Sequence, residues 1–180
     1  MQVDNAQMYP CVNPPPIFIG GGVIAVPEPE EDRLAWGPLD RTAKFGDGWM
    51  PDWGKPELIQ TGYSEIKNFA RKYNREETDF QIAFSTALHL AENDEEAVRK
   101  TAKSIQFSEL EANMVAKYGV RTPQKTLERS LIGSRKTILD RIERYVKVGV
   151  NHFSLVPLTE SVEATSEMIT TFAKDVVPSF

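Results

Sequence analysis

Four short apolar segments, each followed by a stretch with helical periodicity, constrain this chain more than any other feature of its sequence. The first, Ile-Phe-Ile at 17–19, lies between a proline run and three glycines and shows no polar–apolar alternation. Such a run is typical of a strand that is buried on both faces. Further strands are predicted within 46–51, at 79–90 and at 153–156. The alternation of strands and helices predicts one parallel sheet with helical crossovers, which is an α/β fold.

The intervening helices are predicted from apolar spacing and from residues that begin or end helices. They are expected at 39–45, 56–74, 94–118, 134–148 and 161–177. Asp94 and Ser134 are the expected N-caps of the third and fourth helices, and Ser161 begins the last. The segment 23–32, rich in proline and glutamate, is predicted to be an exposed loop.

Composition limits the classes of function. The 180 residues suffice for one domain with a core, and we treat 1–180 as a single domain with an irregular segment at 1–14. The 26 acidic residues outnumber the 21 basic ones, which argues against nucleic acid as a partner. The single cysteine, Cys11, excludes a disulfide within the chain, and no metal-ligand spacing is present. A reducing cytoplasm is the simplest setting, and no apolar run is long enough to cross a membrane.

Four motifs, in order, resemble one known family. They are Pro-Pro-Ile-Phe-Ile-Gly-Gly at 15–21, Arg-Thr-Ala-Lys-Phe-Gly-Asp-Gly-Trp-Met-Pro at 41–51, Ile-Gly-Ser at 132–134 with Val-Gly-Val-Asn-His-Phe at 148–153, and Phe-Ala-Lys-Asp-Val-Val-Pro at 172–178. This set resembles the luciferase-like monooxygenases, which are flavin- or deazaflavin-dependent oxidoreductases. The resemblance covers nearly the whole chain from Pro15 onward.

The resemblance implies a (β/α)8 barrel of the TIM type, of which only the C-terminal half is present as about four βα units. The strands correspond to the fifth to the eighth of the family barrel. The chain is then either a fragment of a longer protein or a true half-barrel. Because a half-barrel leaves two open sheet edges, we expect a homo-oligomer or poor behaviour of the chain alone.

In a barrel, function lies at the C-terminal ends of the strands. The resemblance implies that Gly20, Gly21 and Gly22 contact the phosphate or the ribityl chain of a flavin, since backbone N–H groups without side chains approach phosphate closely. The alternative is a tight turn that needs glycine only for its backbone angles.

Gly48, Trp49 and Met50 lie at the next strand end, which in relatives is near the isoalloxazine ring. Trp49 either stacks on or flanks a planar ring, or is a core residue that plugs the barrel mouth. Lys55 follows in the loop, where it meets an anionic substrate or cofactor tail, or is simply solvated.

The two histidines receive different interpretations. His89 is near the end of its strand, on the side with small and polar residues, and either acts as an acid or base near the cofactor or is structural. His152 precedes its strand at the bottom of the barrel and is interpreted as structural. The segment 23–40 is longer than in relatives, and it is a lid, an oligomer contact or a subfamily insertion.

The leading hypothesis is a luciferase-like oxidoreductase, acting on paired donors, that binds FMN or the deazaflavin coenzyme and a small-molecule substrate. This chain would supply part of the phosphate and ring site, and the cofactor would carry the chemistry. One alternative is a non-catalytic half-barrel that binds flavin or dimerises. Another is an unrelated Rossmann-like domain that binds a dinucleotide at the three glycines, although no helix follows them directly.

Overall fold

The structure is a computed structural model that describes residues 15–24, 26, 31–52, 54–104, 107 and 127–180. The strands are β1 (Phe18–Gly20), β2 (Val23–Ile24), β3 (Arg33–Leu34), β4 (Gly48–Met50), β5 (Gln81–Leu90), β6 (Leu131–Gly133) and β7 (His152–Pro157). The helices are α1 (Trp36–Phe45), α2 (Pro56–Ala70), α3 (Asp94–Thr101), α4 (Arg135–Lys147) and α5 (Val162–Asp175). The predicted segment 1–14, with Cys11, lies outside the described residues.

The main sheet places β1, β4, β5 and β7 side by side in chain order, and all are parallel. Gln81 N–H donates to Asp47 O on one edge of β5, and Asn151 N–H donates to Ile82 O on the other edge. The short β6 pairs with the C-terminal end of β5. Helices lie between consecutive strands of this main sheet, so the predicted parallel α/β sheet is confirmed.

The two faces of the sheet have different surroundings. One face packs on the helices, where Phe84 stacks on Tyr145 of α4 with ring centroids 4.3 Å apart. On the other face, the Phe18 and His152 rings meet edge to face at 5.9 Å. Two strands separate β1 from β7, which would hold them about 14 Å apart in a flat sheet. The sheet therefore curves around the second face, which we call the concave face.

Local capping rules placed most helix ends correctly. The side chains of Ser134 and Ser161 cap α4 and α5, as predicted. The expectation for Asp94 was wrong, because Asn93 is the cap and accepts the N–H of Glu96. The carboxylate of Asp94 instead accepts hydrogen bonds from the Ser134 N–H and the Thr137 hydroxyl at the start of α4.

The helix predicted over 94–118 is also wrong as a continuous element. Its first part, α3, ends at Thr101, and the hydroxyl of Ser104 turns back to bond the Thr101 carbonyl at 2.9 Å. Residues 105–106 and 108–126 lie outside the described part of the chain. The apolar spacing that suggested one long helix thus contains a turn that its composition did not reveal.

The segment 23–32 was predicted to be an exposed loop, but its described residues include a short strand and buried side chains. β2 pairs antiparallel with β3, and Val23 and Val26 are buried. Asp32 is also buried, where it forms an ion pair with Arg129. The prediction was wrong because the charge of Asp32 is balanced by a partner far along the chain, which composition does not reveal. Residues 25 and 27–30 are not described.

Candidate functional site

The glycine turn after β1 lies at the C-terminal end of the sheet. Gly21 and Gly22 have φ angles of +85° and +101°, which L side chains rarely adopt. A Cβ on Gly22 would lie 3.0 Å from Trp49 Nε1, so this residue has no room for a side chain. The conformation alone explains glycine at these two positions.

Gly20 differs from its two neighbours. It is exposed, its φ is not positive, and a Cβ built on it would meet no atom within 4 Å. It pairs in register with Met50 of β4, so both residues face the concave side. Neither fold nor packing requires glycine here, and the bare backbone is open to a ligand.

Trp49 is fully buried on the opposite, helix-packed face of β4. Its Nε1–H donates to the Gly21 carbonyl at 2.6 Å, and its ring lies against Gly62 of α2. This placement does not leave the indole available for stacking on a cofactor ring, and it matches the alternative of a core tryptophan. Trp49 therefore supports the glycine turn from below.

The N-terminal end of the concave face is closed by side chains. The ring of Phe18 occupies the space beside Gly48, where a Cβ could not fit. His152 is the first residue of β7, and its Nε2 is hydrogen-bonded to Gln81 Oε1 at 2.9 Å. Gly48 is thus a position that Phe18 packs against closely. His152 helps to close the N-terminal end of the concave face, in keeping with its structural interpretation.

His89 lies at the C-terminal end of β5 and is buried. Its Nδ1–H donates to the Leu158 carbonyl at 2.5 Å, which joins β5 to the loop after β7. A neutral ring held in this way presents Nε2 as a hydrogen-bond acceptor. The ring lines a cavity of about 370 Å³ that Lys100, Thr159 and Glu167 also line. The position suits both a structural and a chemical role.

Lys55 is held by Glu31 at 3.0 Å and lines a second cavity of about 280 Å³. Arg129, Arg141 and Arg144 line the same cavity, and the sequence analysis did not single out any of them. Arg129 is buried with its partner Asp32. No local pattern connects these residues, because they come from separate elements that only the fold brings together.

Across the described ranges, no three His, Cys, Asp or Glu side chains are grouped so that they could hold a metal ion. None of the described helices combines the length and the hydropathy that crossing a membrane requires.

Residues 37–152 match the family model described as luciferase-like monooxygenase. The chain belongs to the luciferase-like monooxygenase family. This luciferase-like chain has no significant match among curated proteins. The family that the sequence motifs indicated is confirmed.

Solved structures show the same fold. The coenzyme F420 dependent tetrahydromethanopterin reductase from Methanopyrus kandleri is 17% identical, with a TM-score of 0.63, over 92% of this chain and 51% of that one. The EDTA monooxygenase from Chelativorans sp. BNC1 is 15% identical, with a TM-score of 0.62, over 94% and 45%. A long-chain alkane monooxygenase is 17% identical, with a TM-score of 0.56, over 79% and 38%.

The luciferase-like chain thus spans about half the length, or less, of the solved structures that it matches. At these identities the likeness establishes the fold and not the activity. The predicted C-terminal half of a (β/α)8 barrel is confirmed, and the concave face is the side that the rest of such a barrel would enclose.

Proposed function

We propose that this chain is part of a flavin- or deazaflavin-dependent oxidoreductase, acting on paired donors and a small-molecule substrate, and that its strand ends supply part of the cofactor site. The observation that carries the proposal is Gly20. Its backbone is open at the C-terminal end of β1, on the concave face, where no packing explains a glycine. Barrel enzymes place their chemistry at this end.

The residues around Gly20 suit such a cofactor. The backbone of 20–22 permits close approach of a phosphate or ribityl group, and Trp49 holds the turn in place through Gly21 O. Met50 offers a thioether beside Gly20. The concave face of β5 carries only small side chains between its ends; these are Ala83, Ser85 and Ala87. Ser85 is half-buried, whereas Ala87 packs in a buried cluster with Phe107 and Leu158.

The cofactor would supply the hydride or oxygen chemistry when bound, and the chain would orient it. Relatives in fold are described with F420 or with a modified FMN, which supports a cofactor of the flavin type. Within this proposal, His89 is the candidate for a proton-holding group at the rim, through Nε2. The single cysteine supports a reducing, cytoplasmic setting, and we treat the chain as one domain.

The cofactor site is tested by adding a side chain at Gly20. Gly20→Val introduces two methyl groups into the open space and suits a strand, whereas Gly20→Ala introduces one methyl group with no clash. We expect affinity for FMN or for the deazaflavin coenzyme to fall at least ten-fold in Gly20→Val and less in Gly20→Ala. Gly37→Ala is the control, since it lies in the first turn of α1, away from the concave face. Equal affinity in all three variants would exclude cofactor binding at this turn.

A second candidate is a half-barrel that dimerises and binds flavin without turnover. It is favoured by the exposure of alternate residues of β7, which include Ser154 and Val156, on the concave face. In the described part of the chain, β1 and β7 each pair along one edge only. Parallel edges of this kind are normally covered. Light scattering of the purified chain with cofactor distinguishes the two candidates: a stable dimer without turnover favours the second.

A further inference from the structure

The cavity lined by Lys55 is the strongest unassigned feature of the chain. It has a volume of about 280 Å³ and lies between the loop before α2 and the last turns of α4. Among the residues that the structure describes, four basic side chains line it together with one carboxylate, Glu128; the basic residues are Lys55, Arg129, Arg141 and Arg144. We call this set the basic cavity.

The walls of the basic cavity are fixed by contacts within the protein. Nη1 of Arg141 donates to three carbonyl oxygens in the segment 127–132, at 2.5 to 2.9 Å. The Tyr145 hydroxyl lies 3.1 Å from the carbonyl oxygens of both Gly54 and Arg129. These bonds join the loop before α2 to the segment before β6. The cavity is therefore a built feature and not a chance gap between mobile surface side chains.

Basic side chains outnumber acidic ones four to one among the described residues that line the cavity. Carboxylates outside the lining act on this group as well; they are Glu31, Asp32, Glu57 and Asp94. A group with oxyanion character inside the cavity would accept charge-assisted hydrogen bonds from the lining cations, and such bonds are among the strongest in proteins.

The cations also act on one another and on the phenol between them. Burial lowers the pKa of Arg141, the charge of Asp94 opposes that fall, and the nearby charge of Arg144 adds to it. Burial raises the pKa of Tyr145, while the charges of Arg129, Arg144 and Arg141 oppose that rise. Three guanidinium groups are thus within electrostatic reach of one buried hydroxyl, and a bound anion would relieve their repulsion.

The basic cavity adjoins the glycine turn. Gly54 precedes Lys55, and a Cβ on Gly54 would lie 3.4 Å from the side chain of Val23. Val23 directly follows the glycine turn 20–22. A ligand in the cavity would therefore lie behind the loop that packs beside the proposed cofactor site.

We propose that the basic cavity binds the phosphate or carboxylate group of an anionic substrate. This inference rests on the proposed function, because it assigns the substrate class of the same enzyme. Lys55, Arg144 and the outer side of Arg141 supply the donors, and Arg129 with Asp32 forms the buried base of the site. Guanidinium groups suit planar and tetrahedral oxyanions because their donors are arranged as a rigid fork.

Inorganic phosphate is the probe, titrated by calorimetry into the purified chain at low ionic strength. Arg144→Gln removes an exposed cation from the cavity lining. We expect phosphate affinity to fall roughly ten-fold, the change that about 1.4 kcal/mol of lost attraction produces. Lys147→Gln is the control, an exposed cation three residues away on the same helix that is absent from the cavity lining, and it should change affinity less than two-fold.

Two further arms separate the possible outcomes. Glu128→Gln removes the carboxylate in the cavity lining and should tighten phosphate binding several-fold, opposite in sign to Arg144→Gln. Saturating FMN should leave phosphate binding unchanged. Displacement of phosphate by FMN would assign the cavity to the cofactor tail, which overturns this inference but leaves the proposed function intact. No phosphate binding by a folded chain, or equal loss in Lys147→Gln, would overturn it as well.

Discussion

The buried pair of Asp32 and Arg129 provides a quantitative test of the packing between the segment before β3 and the segment before β6. Their side chains are 3% and 4% exposed, so water screens the attraction little. Asp32→Asn keeps the size of the side chain and an oxygen that can accept the Val26 N–H, and it removes only the charge. Arg129 then loses the charge of its buried carboxylate partner, which costs about 3–5 kcal/mol.

That cost is a large fraction of the stability of a single domain, which is about 5–15 kcal/mol. For a chain of this length it corresponds to a fall in Tm of about 6–20 °C. Thermal unfolding followed by circular dichroism measures the change. Glu31→Gln is a matched neighbour, because it breaks the exposed pair with Lys55 and should cost less than about 1 kcal/mol. Equal melting of Asp32→Asn and Glu31→Gln would refute the argument that burial makes this pair important.

Three further predictions concern contacts that hold the strand ends and α4 in place. Gly62→Ala should lower the free energy of unfolding in urea by about 1–3 kcal/mol, since the new Cβ would lie 2.5 Å from the Trp49 ring. An unchanged urea midpoint would contradict this packing. Tyr145→Phe should cost about 1–3 kcal/mol in the same assay, because it removes the single hydroxyl proton that the carbonyls of Gly54 and Arg129 share. Hydrogen bonds from Ser134 N–H and then the Thr137 hydroxyl lower the pKa of Asp94, so its contribution is present above about pH 4 and is lost as the pH falls through the folded-state pKa. Urea midpoints from pH 5 to pH 3 should therefore fall less in Asp94→Asn than in the parent chain.

The elements that the sequence predicted well are those with local causes. Ile17 to Ile19 form an apolar run between prolines and glycines, and β1 occupies most of it. Ser134 and Ser161 cap their helices through bonds to N–H groups three residues on, which a sequence pattern reveals directly. Gly149, which has a positive φ, likewise marks the end of α4. The parallel sheet then followed from the order of the elements.

At the candidate site, the sequence placed residues at the correct end of the sheet but not on the correct face. Trp49 and Met50 are adjacent, and strand alternation sends one to the helices and the other to the concave face. A strand of three residues is too short for its own pattern to reveal which side chain faces the helices and which faces the concave side. The Gly21 carbonyl and Gly62, which decide the position of the indole, are distant in sequence.

The basic cavity could not be predicted, because its members share no spacing. Lys55 belongs to a loop, Arg129 precedes β6, and Arg144 lies on a helix. Taken singly, each of these residues is of a charged type that is common on solvated surfaces. Their proximity depends on how α4 packs against β5, which is a tertiary property; Arg141 is placed there by bonds to the backbone before α4.

The central claim is that this half of a luciferase-like barrel carries part of a flavin-type cofactor site at the C-terminal ends of its strands. The most direct test is an absorbance titration of the purified chain with FMN and with the deazaflavin coenzyme, with the solution mass measured in parallel. We predict a saturable spectral change with at least one cofactor, which Gly20→Val weakens. A folded chain that produces no spectral change with either cofactor would contradict the claim.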